Sequence, residues 1–330
     1  MKRDFRRASR SSSHFAGMVS RANSRTGLAT APPYAGLRLD RATGRRGDDA
    51  WVAAAAADPR ARVRPLWRDQ CLVAGDPAVP MVLAVSSIDG TAPAELVLLG
   101  VDDKGPQFAI DLSELPAADA LARTEADAIV DLRSLFGILP AADAATIAYA
   151  RGLLRSNRGQ RYCGHCGSPT EPRSAGHLHA CTNANCGELL FPRIEPAVIT
   201  LVETIARPHR CLLARHRNSK VGGYSLLAGF VEVGESFEDT VRREISEEVG
   251  IELRQIAYVG SQPWPFPAGL MVAFRGIAAE ESVSVDGTEV VEARWFTREE
   301  VREYALTTGR LGRADSIDRL MLTVWLEEGE

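Results

Sequence analysis

Positive charge is not in surplus in this chain of 330 residues: 39 Lys and Arg stand against 43 Asp and Glu, a formal net charge of −4. That balance excludes capture of nucleic acid by a global field, so a polyanionic substrate must be met by local cations. Long apolar runs are absent too. No stretch approaches the roughly 20 residues that cross a bilayer, and no membrane span is expected. Cysteine is scarce outside one short segment. Four of the six fall between Cys163 and Cys186, while Cys71 and Cys211 stand alone in apolar surroundings. The two isolated residues read as reduced core positions, and the whole pattern points to a cytoplasmic, reducing compartment. No internal repeat is legible.

Acids are nearly missing from residues 1–35, where Asp4 is alone among Arg, Ser and Ala. Arg6 and Arg7 form a twin arginine, but no apolar segment follows, which argues against an export signal. An Arg- and Ser-rich, acid-poor start also resembles an organelle transit peptide. The plainer expectation is a disordered basic tail over residues 1–36, with Met18 as an alternative initiator.

With 45% hydrophobic and 25% charged residues, the rest has ample material for two or three cores. Residues 37–158 are expected to form an α+β domain. Val82–Val85 and Leu96–Leu99 read as strands separated by a turn at Asp89-Gly90, and Ala141–Leu154 reads as a helix ending near Gly159. No catalytic signature occurs there. Beyond it, Cys163-x2-Cys166 and Cys181-x4-Cys186, fourteen residues apart, supply four thiolates in two knuckles. Zn²⁺ favours such a tetrahedral set, and four sulfurs leave no open position for a reacting water. A zinc ribbon over residues 159–192 is therefore expected as a staple. His165, His177 and His179 lie nearby but are not needed as ligands. Arg158, Arg161, Arg173 and Arg193 flank the ribbon, so nucleic-acid binding competes with stapling, though a solvated surface is the plainer reading.

From residue 193 to 330, strand-like segments at Ala197–Glu203, Cys211–Arg215 and Met271–Gly276 alternate with a helix at Phe237–Val249 and a last helix from about Asp315. Within them runs Gly229-x5-Glu235-x7-Arg243-Glu244-Ile245-x-Glu247-Glu248-x-Gly250-Ile251. Ser236 with Asp239 caps the helix start, and Gly250 stops it. Phe237, Val241, Ile245 and Val249 recur every fourth residue as the buried stripe. Glu244, Glu247 and Glu248 then project from nearly one face. An exposed acidic helix would not require the two glycines or the upstream Glu235. Oxygen-only ligands in this arrangement select Mg²⁺ or Mn²⁺, hard ions that also bind phosphate. Ten residues downstream, Ser261-Gln262-Pro263-Trp264-Pro265-Phe266-Pro267-Ala268-Gly269 alternates three prolines with aromatics. Such a segment is stiff and extended, unfit for a helix or central strand, and suits a planar ring, although alone it would read as a packed loop.

In this order, ribbon, box and Pro-aromatic segment resemble the NADH pyrophosphatases (NudC-type) of the Nudix hydrolase superfamily, strongly over about 160–325. The resemblance implies a Nudix α/β/α sandwich with a mixed sheet, preceded by the ribbon and the N-terminal α+β domain. It implies a metal-dependent hydrolase that splits NADH or NAD⁺ into nicotinamide mononucleotide and AMP, acts as a homodimer, and also removes NAD caps from RNA. Arg243, Glu244, Glu247 and Glu248 take the catalytic positions. Glu244, Glu248, Glu289 and the Ala228 carbonyl take the metal positions, with Glu247 a further ligand or water-activating group. Arg133, Phe191, Phe230 and the run Gln262, Pro263, Trp264, Pro265, Phe266, Pro267, Ala268, Gly269 take the substrate positions. This chain departs from the pattern at Gly269, where Ser is usual, at Phe191, commonly Tyr, at Asp318, commonly Ala near the substrate, and in its Cys-x4-Cys knuckle. Competing expectations are a pyrophosphatase for ADP-ribose and a non-catalytic, ribbon-based regulator on the same scaffold.

Overall fold

The computed structural model describes residues 31–88, 95–217 and 223–328. Most of the expected basic tail, Met18 and the Asp89-Gly90 turn lie outside them. Among the described residues no helix is long and apolar enough to cross a membrane. Ahead of residue 37, Tyr34 is buried and its hydroxyl donates to Asp315 Oδ2 at 3.0 Å.

The first unit holds α1 (Asp49–Ala56), β1 (Arg62–Trp67), β2 (Gln70–Ala74), β3 (Val79–Pro80), β4 (Leu83–Ala84), β5 (Val97–Asp102), β6 (Gly105–Asp111), α2 (Ala117–Thr124), β7 (Ala128–Val130) and α3 (Ala141–Gly159). One reading shifts: the strand expected at Val82–Val85 shrinks to β4 as Val85 enters a 3₁₀ turn, while α3 ends at Gly159, where its end is expected. The sheet runs β3-β2-β1-β6-β5, with β4 added to β1 and β7 to β2; β1 and β6 are parallel. Alternate side chains bury opposite faces. Leu66, Cys71, Leu99 and Ala109 pack under Ile147, Ala150 and Leu154 of α3. Val63, Leu72, Leu98 and Phe108 face Ala55 of α1 and Ala120 of α2.

A three-stranded sheet follows, β8 (Thr170–Arg173), β9 (Leu178–Cys181) and β10 (Leu189–Leu190), with Cys181 ending β9 and Cys163, Cys166 and Cys186 in the turns around it. The last unit contains β11 (Glu195–Glu203), β12 (Cys211–His216), β13 (Leu227–Phe230), α4 (Phe237–Val249), β14 (Leu253–Trp264), β15 (Gly269–Ala278), β16 (Val290–Phe296), α5 (Arg298–Thr308) and α6 (Ile317–Glu327). Its sheet runs β14-β15-β11-β12-β16 with β13 on β11, and only β11 and β15 are parallel. Val198 and Val202 of β11 and Leu212 and Ala214 of β12 bury one face under Val241, Ile245 and Val249 of α4. Ile199, Leu201, Cys211 and Leu213 bury the other under Met321, Leu322 and Trp325 of α6. This is the expected α/β/α sandwich with a mixed sheet, and both lone cysteines are core residues. The first unit repeats the plan, a parallel central pair between helical layers, without any repeat visible in sequence.

Candidate functional site

The acid-bearing helix forms as its caps dictate. Ser236 and Asp239 exchange side chain-to-backbone bonds in a capping box, and Gly250 ends α4 at φ 71°. Gly229 leaves room for the Glu244 carboxyl, which a Cβ there would meet at 1.9 Å and push aside. That approach lays β13 against the acidic face of α4. Arg243 then donates to Glu235 Oε1 at 2.6 Å, Glu244 Oε1 at 2.9 Å, Glu247 Oε2 at 3.1 Å and the Phe230 carbonyl at 2.9 Å. Glu235 folds back onto this guanidinium, whose bond is the main cause holding its carboxyl down at about 2. These bonds keep Arg243 charged and fix three carboxylates.

A cleft of about 610 Å³ opens beside them, lined by Ala228, Phe230, Glu244, Glu247, Glu248 and Glu289, with Asp286 as an acid the sequence did not single out. Asp286 accepts from the amides of Thr288, Glu289 and Val290, and so sets the turn that carries Glu289. Glu247 is the exposed member, its side chain 62% accessible against 13% for Glu244 and 5% for Glu248. Glu248 is the anomaly. Its Oε2 is buried with no hydrogen-bond partner, and burial first, then Glu244 and Glu289, push its carboxyl up to about 8. His216, also missed, lies 4.0 Å from Glu248 through Nδ1. An orphaned buried oxygen among four further acids has the donor chemistry a hard divalent cation requires.

The four sulfurs Cys163, Cys166, Cys181 and Cys186 lie within 4.8 Å of one another, and among the described residues no other group of three or more metal-ligating atoms converges so closely. The carboxylates of the cleft stand further apart, as like charges do. Gly167 and Gly187 adopt positive φ of 73° and 61° in the knuckles. His177 is engaged with Leu98 O and Arg46, and His179 with Asn157 and Thr170, so neither joins the sulfur cluster.

The Pro-aromatic segment is half strand and half turn. Ser261 to Trp264 finish β14, an edge strand where Pro263 costs no central ladder bond, and Pro265–Ala268 turn into β15. Its side chains do not all face one cavity. Gln262 is fully buried; its Nε2 donates to Pro33 O and Asp315 O, and its Oε1 accepts from Ile317 N at 2.7 Å. No atom of that amide is left for a ligand. Phe266 reaches into the first unit's core, edge-on to Tyr34 at 5.5 Å, with Arg133 3.5 Å from its centroid and Arg151 4.8 Å. Arg133 also lies 5.7 Å from the Trp264 ring, so the 3₁₀ turn at Leu132–Leu135 meets the segment. Trp264, Pro263, Pro265, Ala268 and Gly269 line a second cleft of about 710 Å³, together with Phe191. Pro267 follows a cis peptide bond in the turn. Phe191 and Phe230 are 60% and 65% exposed. Asp318, expected near the substrate, lines neither cleft; it is buried, accepts from Leu226 N and would collide with a side chain at Gly312.

Residues 195–320 match the NUDIX domain model, and residues 60–155 match the model of the NADH pyrophosphatase-like rudimentary NUDIX domain. The second match accounts for the repeated plan of the first unit. The NAD-capped RNA hydrolase NudC of Mycobacterium bovis (strain BCG / Pasteur 1173P2) is 39% identical over 311 residues, spanning 90% of this chain and 96% of the relative. The human NAD-capped RNA hydrolase NUDT12 is 37% identical over 176 residues, 51% of this chain and 37% of its own length. Similarity that runs nearly end to end through both units, with the acid-lined cleft seated in the second, makes this chain a member of the NudC-type, NADH pyrophosphatase branch of the Nudix hydrolases.

Proposed function

We propose that this protein hydrolyses the diphosphate of NADH and NAD⁺, giving nicotinamide mononucleotide (reduced or not) and AMP, and removes NAD caps from RNA, leaving a 5′-monophosphate. The observation that carries this is the buried, unpartnered Oε2 of Glu248 in a cleft shared with Glu244, Glu247, Asp286 and Glu289. Glu244, Glu248, Glu289 and the Ala228 carbonyl would hold Mg²⁺ or Mn²⁺. Bound there, such ions polarise a diphosphate and make water a better nucleophile. Arg243 orients Glu244 and Glu247, and the exposed Glu247 serves as a further ligand or takes the proton from attacking water. The four-cysteine cluster holds zinc as a staple for the ribbon.

Two relatives named for NAD-capped RNA hydrolysis support the substrate class. Phe230 on the acid cleft, with Trp264 and Phe191 on the neighbouring one, offers apolar ring surface suited to nicotinamide or adenine. Phe230 and Val233, 65% and 107% exposed, add an apolar surface that supports pairing with a second copy, which light scattering tests. The deciding experiment is a product assay with purified protein, Mg²⁺ or Mn²⁺, and NADH, NAD⁺, ADP-ribose and NAD-capped RNA in parallel. NADH is expected to exceed NAD⁺, because an uncharged ring enters an apolar site more cheaply. ADP-ribose as the best substrate would overturn the NAD(H) assignment, and binding without turnover would make the chain a regulator.

A further inference from the structure

Basic residues around the ribbon fall into two groups. Arg158 pairs with Asp69 and Asp111, Arg161 with Glu114, and Arg173 with Glu171, so their charge is spent inside the protein. Arg193 has no carboxylate partner among the described residues, nor have Arg41 and Arg46. All three line the second cleft, which contains no Asp or Glu in its wall. Arg41 lies 4.3 Å over the Tyr149 ring, which steadies the guanidinium and leaves its donors available. Arg46 uses one nitrogen on His177 Nδ1 at 2.9 Å. The cleft is thus a cationic trough in an acidic protein, walled by Tyr149, Phe191 and Trp264.

Its position relative to the acid cleft is set by the sheet. Leu270 lines the trough and Met271 the acid cleft, so adjacent residues of β15 serve the two from opposite faces. A chain rounding the strand starts at Glu195 and Gly269 passes from one to the other. Arginines without carboxylate partners, next to exposed rings, are what a single-stranded nucleic acid requires: phosphate contacts and faces for stacking.

We propose that this trough takes the RNA behind the cap, with Arg41, Arg46 and Arg193 on its phosphates, beyond the Phe191 and Trp264 rings that meet the cap itself. The inference rests on the reading that NAD-capped RNA is a substrate. The test compares Arg41→Glu, Arg41→Glu/Arg46→Glu and the milder Arg41→Gln, with Arg45→Glu as control, since Arg45 stacks on Trp51 away from the trough. Each full-length variant is assayed on a short NAD-capped oligoribonucleotide and on free NAD⁺ over a salt series. For capped RNA, KM should rise about tenfold in the double variant, and the slope of log KM against log salt should fall by about 1.4. Free NAD⁺ should change by less than about twofold, and Arg45→Glu should leave both substrates as they were. If the double variant melts early, Arg41→Gln carries the same comparison with an expected rise of about threefold. Equal losses on both substrates, or an unchanged KM for capped RNA, would overturn the proposal. Binding of a 5′-monophosphorylated oligonucleotide and of AMP separates the sources: the oligonucleotide should bind more tightly and lose affinity in the variants. AMP binding as tightly would make the trough a free-nucleotide site and overturn the RNA path. Should the unaltered protein cleave neither NAD⁺ nor capped RNA, the enzymatic reading falls, while the oligonucleotide measurement still decides the trough.

Discussion

Glu248 concentrates the energetics of the acid cleft in one side chain. Its carboxyl is raised to about 8, chiefly by burial, so the folded state holds that proton more tightly than an unfolded chain, where a glutamate titrates near ~4.3. The sign follows: this contribution to stability is complete below the unfolded value and is lost as pH rises through about 8. Cation-free protein should therefore melt at falling temperature between about pH 5 and pH 9, and Glu248→Gln should remove part of that fall. Calorimetry in chelator checks it, and an unchanged slope in the variant would refute the assignment. The same substitution should cut turnover by roughly three orders of magnitude, about 4 kcal/mol of transition-state stabilisation, at saturating Mg²⁺ or Mn²⁺. Gly269→Ser would supply the hydroxyl usual at this position, but a Cβ there stands 3.0 Å from the Glu195 carbonyl. The neighbouring strand must yield by a few tenths of an ångström, and a gain in NADH preference is expected only if it does. The comparison of kcat/KM for NADH, NAD⁺ and ADP-ribose with Trp264→Ala reads this directly.

Elements divide by how openly their sequences declare them. The acid helix was legible to its ends, because Ser236, Asp239 and Gly250 are caps whose chemistry permits little else. Strand β11 was legible because Val198–Val202 is apolar except for Thr200, as a strand buried between two helical layers tends to be. Strand β1 was not, since Arg62, Arg64 and Pro65 interrupt any apolar or alternating pattern. The fold tolerates them because Arg62 and Arg64 pair with Asp102 and Asp143, and because Arg64 and Pro65 fall in the gap between the β4 and β2 pairings. His216 and Asp286 belong to no motif, and only the fold brings them to Glu248 and Glu289. The ribbon was legible from spacing alone. Replacing Cys163 or Cys181 by Ser should release its metal and unfold it, because binding energy at such a site is folding energy. Zinc content and melting measured together check this; a metal-free variant of equal stability would contradict it.

Over the whole molecule, the Pro-aromatic hairpin is a fastener as much as a wall. Gln262 ties Pro33, Asp315 and Ile317 to one amide, and Tyr34 bonds Asp315 from a position 281 residues away. Phe266 meanwhile sits in the other unit's core. Gln262→Ala would strand a buried donor and two acceptors, at a cost of about 2–4 kcal/mol, and lower the melting temperature by roughly 5–15 °C. KM for NADH should rise by a larger factor than kcat falls, because the acid cleft is built from other residues. A melting curve within a degree of the unaltered protein would show the amide to be dispensable.

That fastener imposes a schedule on synthesis. Ile317, whose amide closes the bond to Gln262, lies 55 residues further along the chain. At about 5–20 residues per second the ribosome takes roughly 3–11 s to deliver it. Through that interval the hairpin lacks its clasp and Phe266 has only the first unit's core to hold it, whose residues all precede it in the chain, so the earlier unit must shelter the aromatic segment until the C-terminal helix arrives.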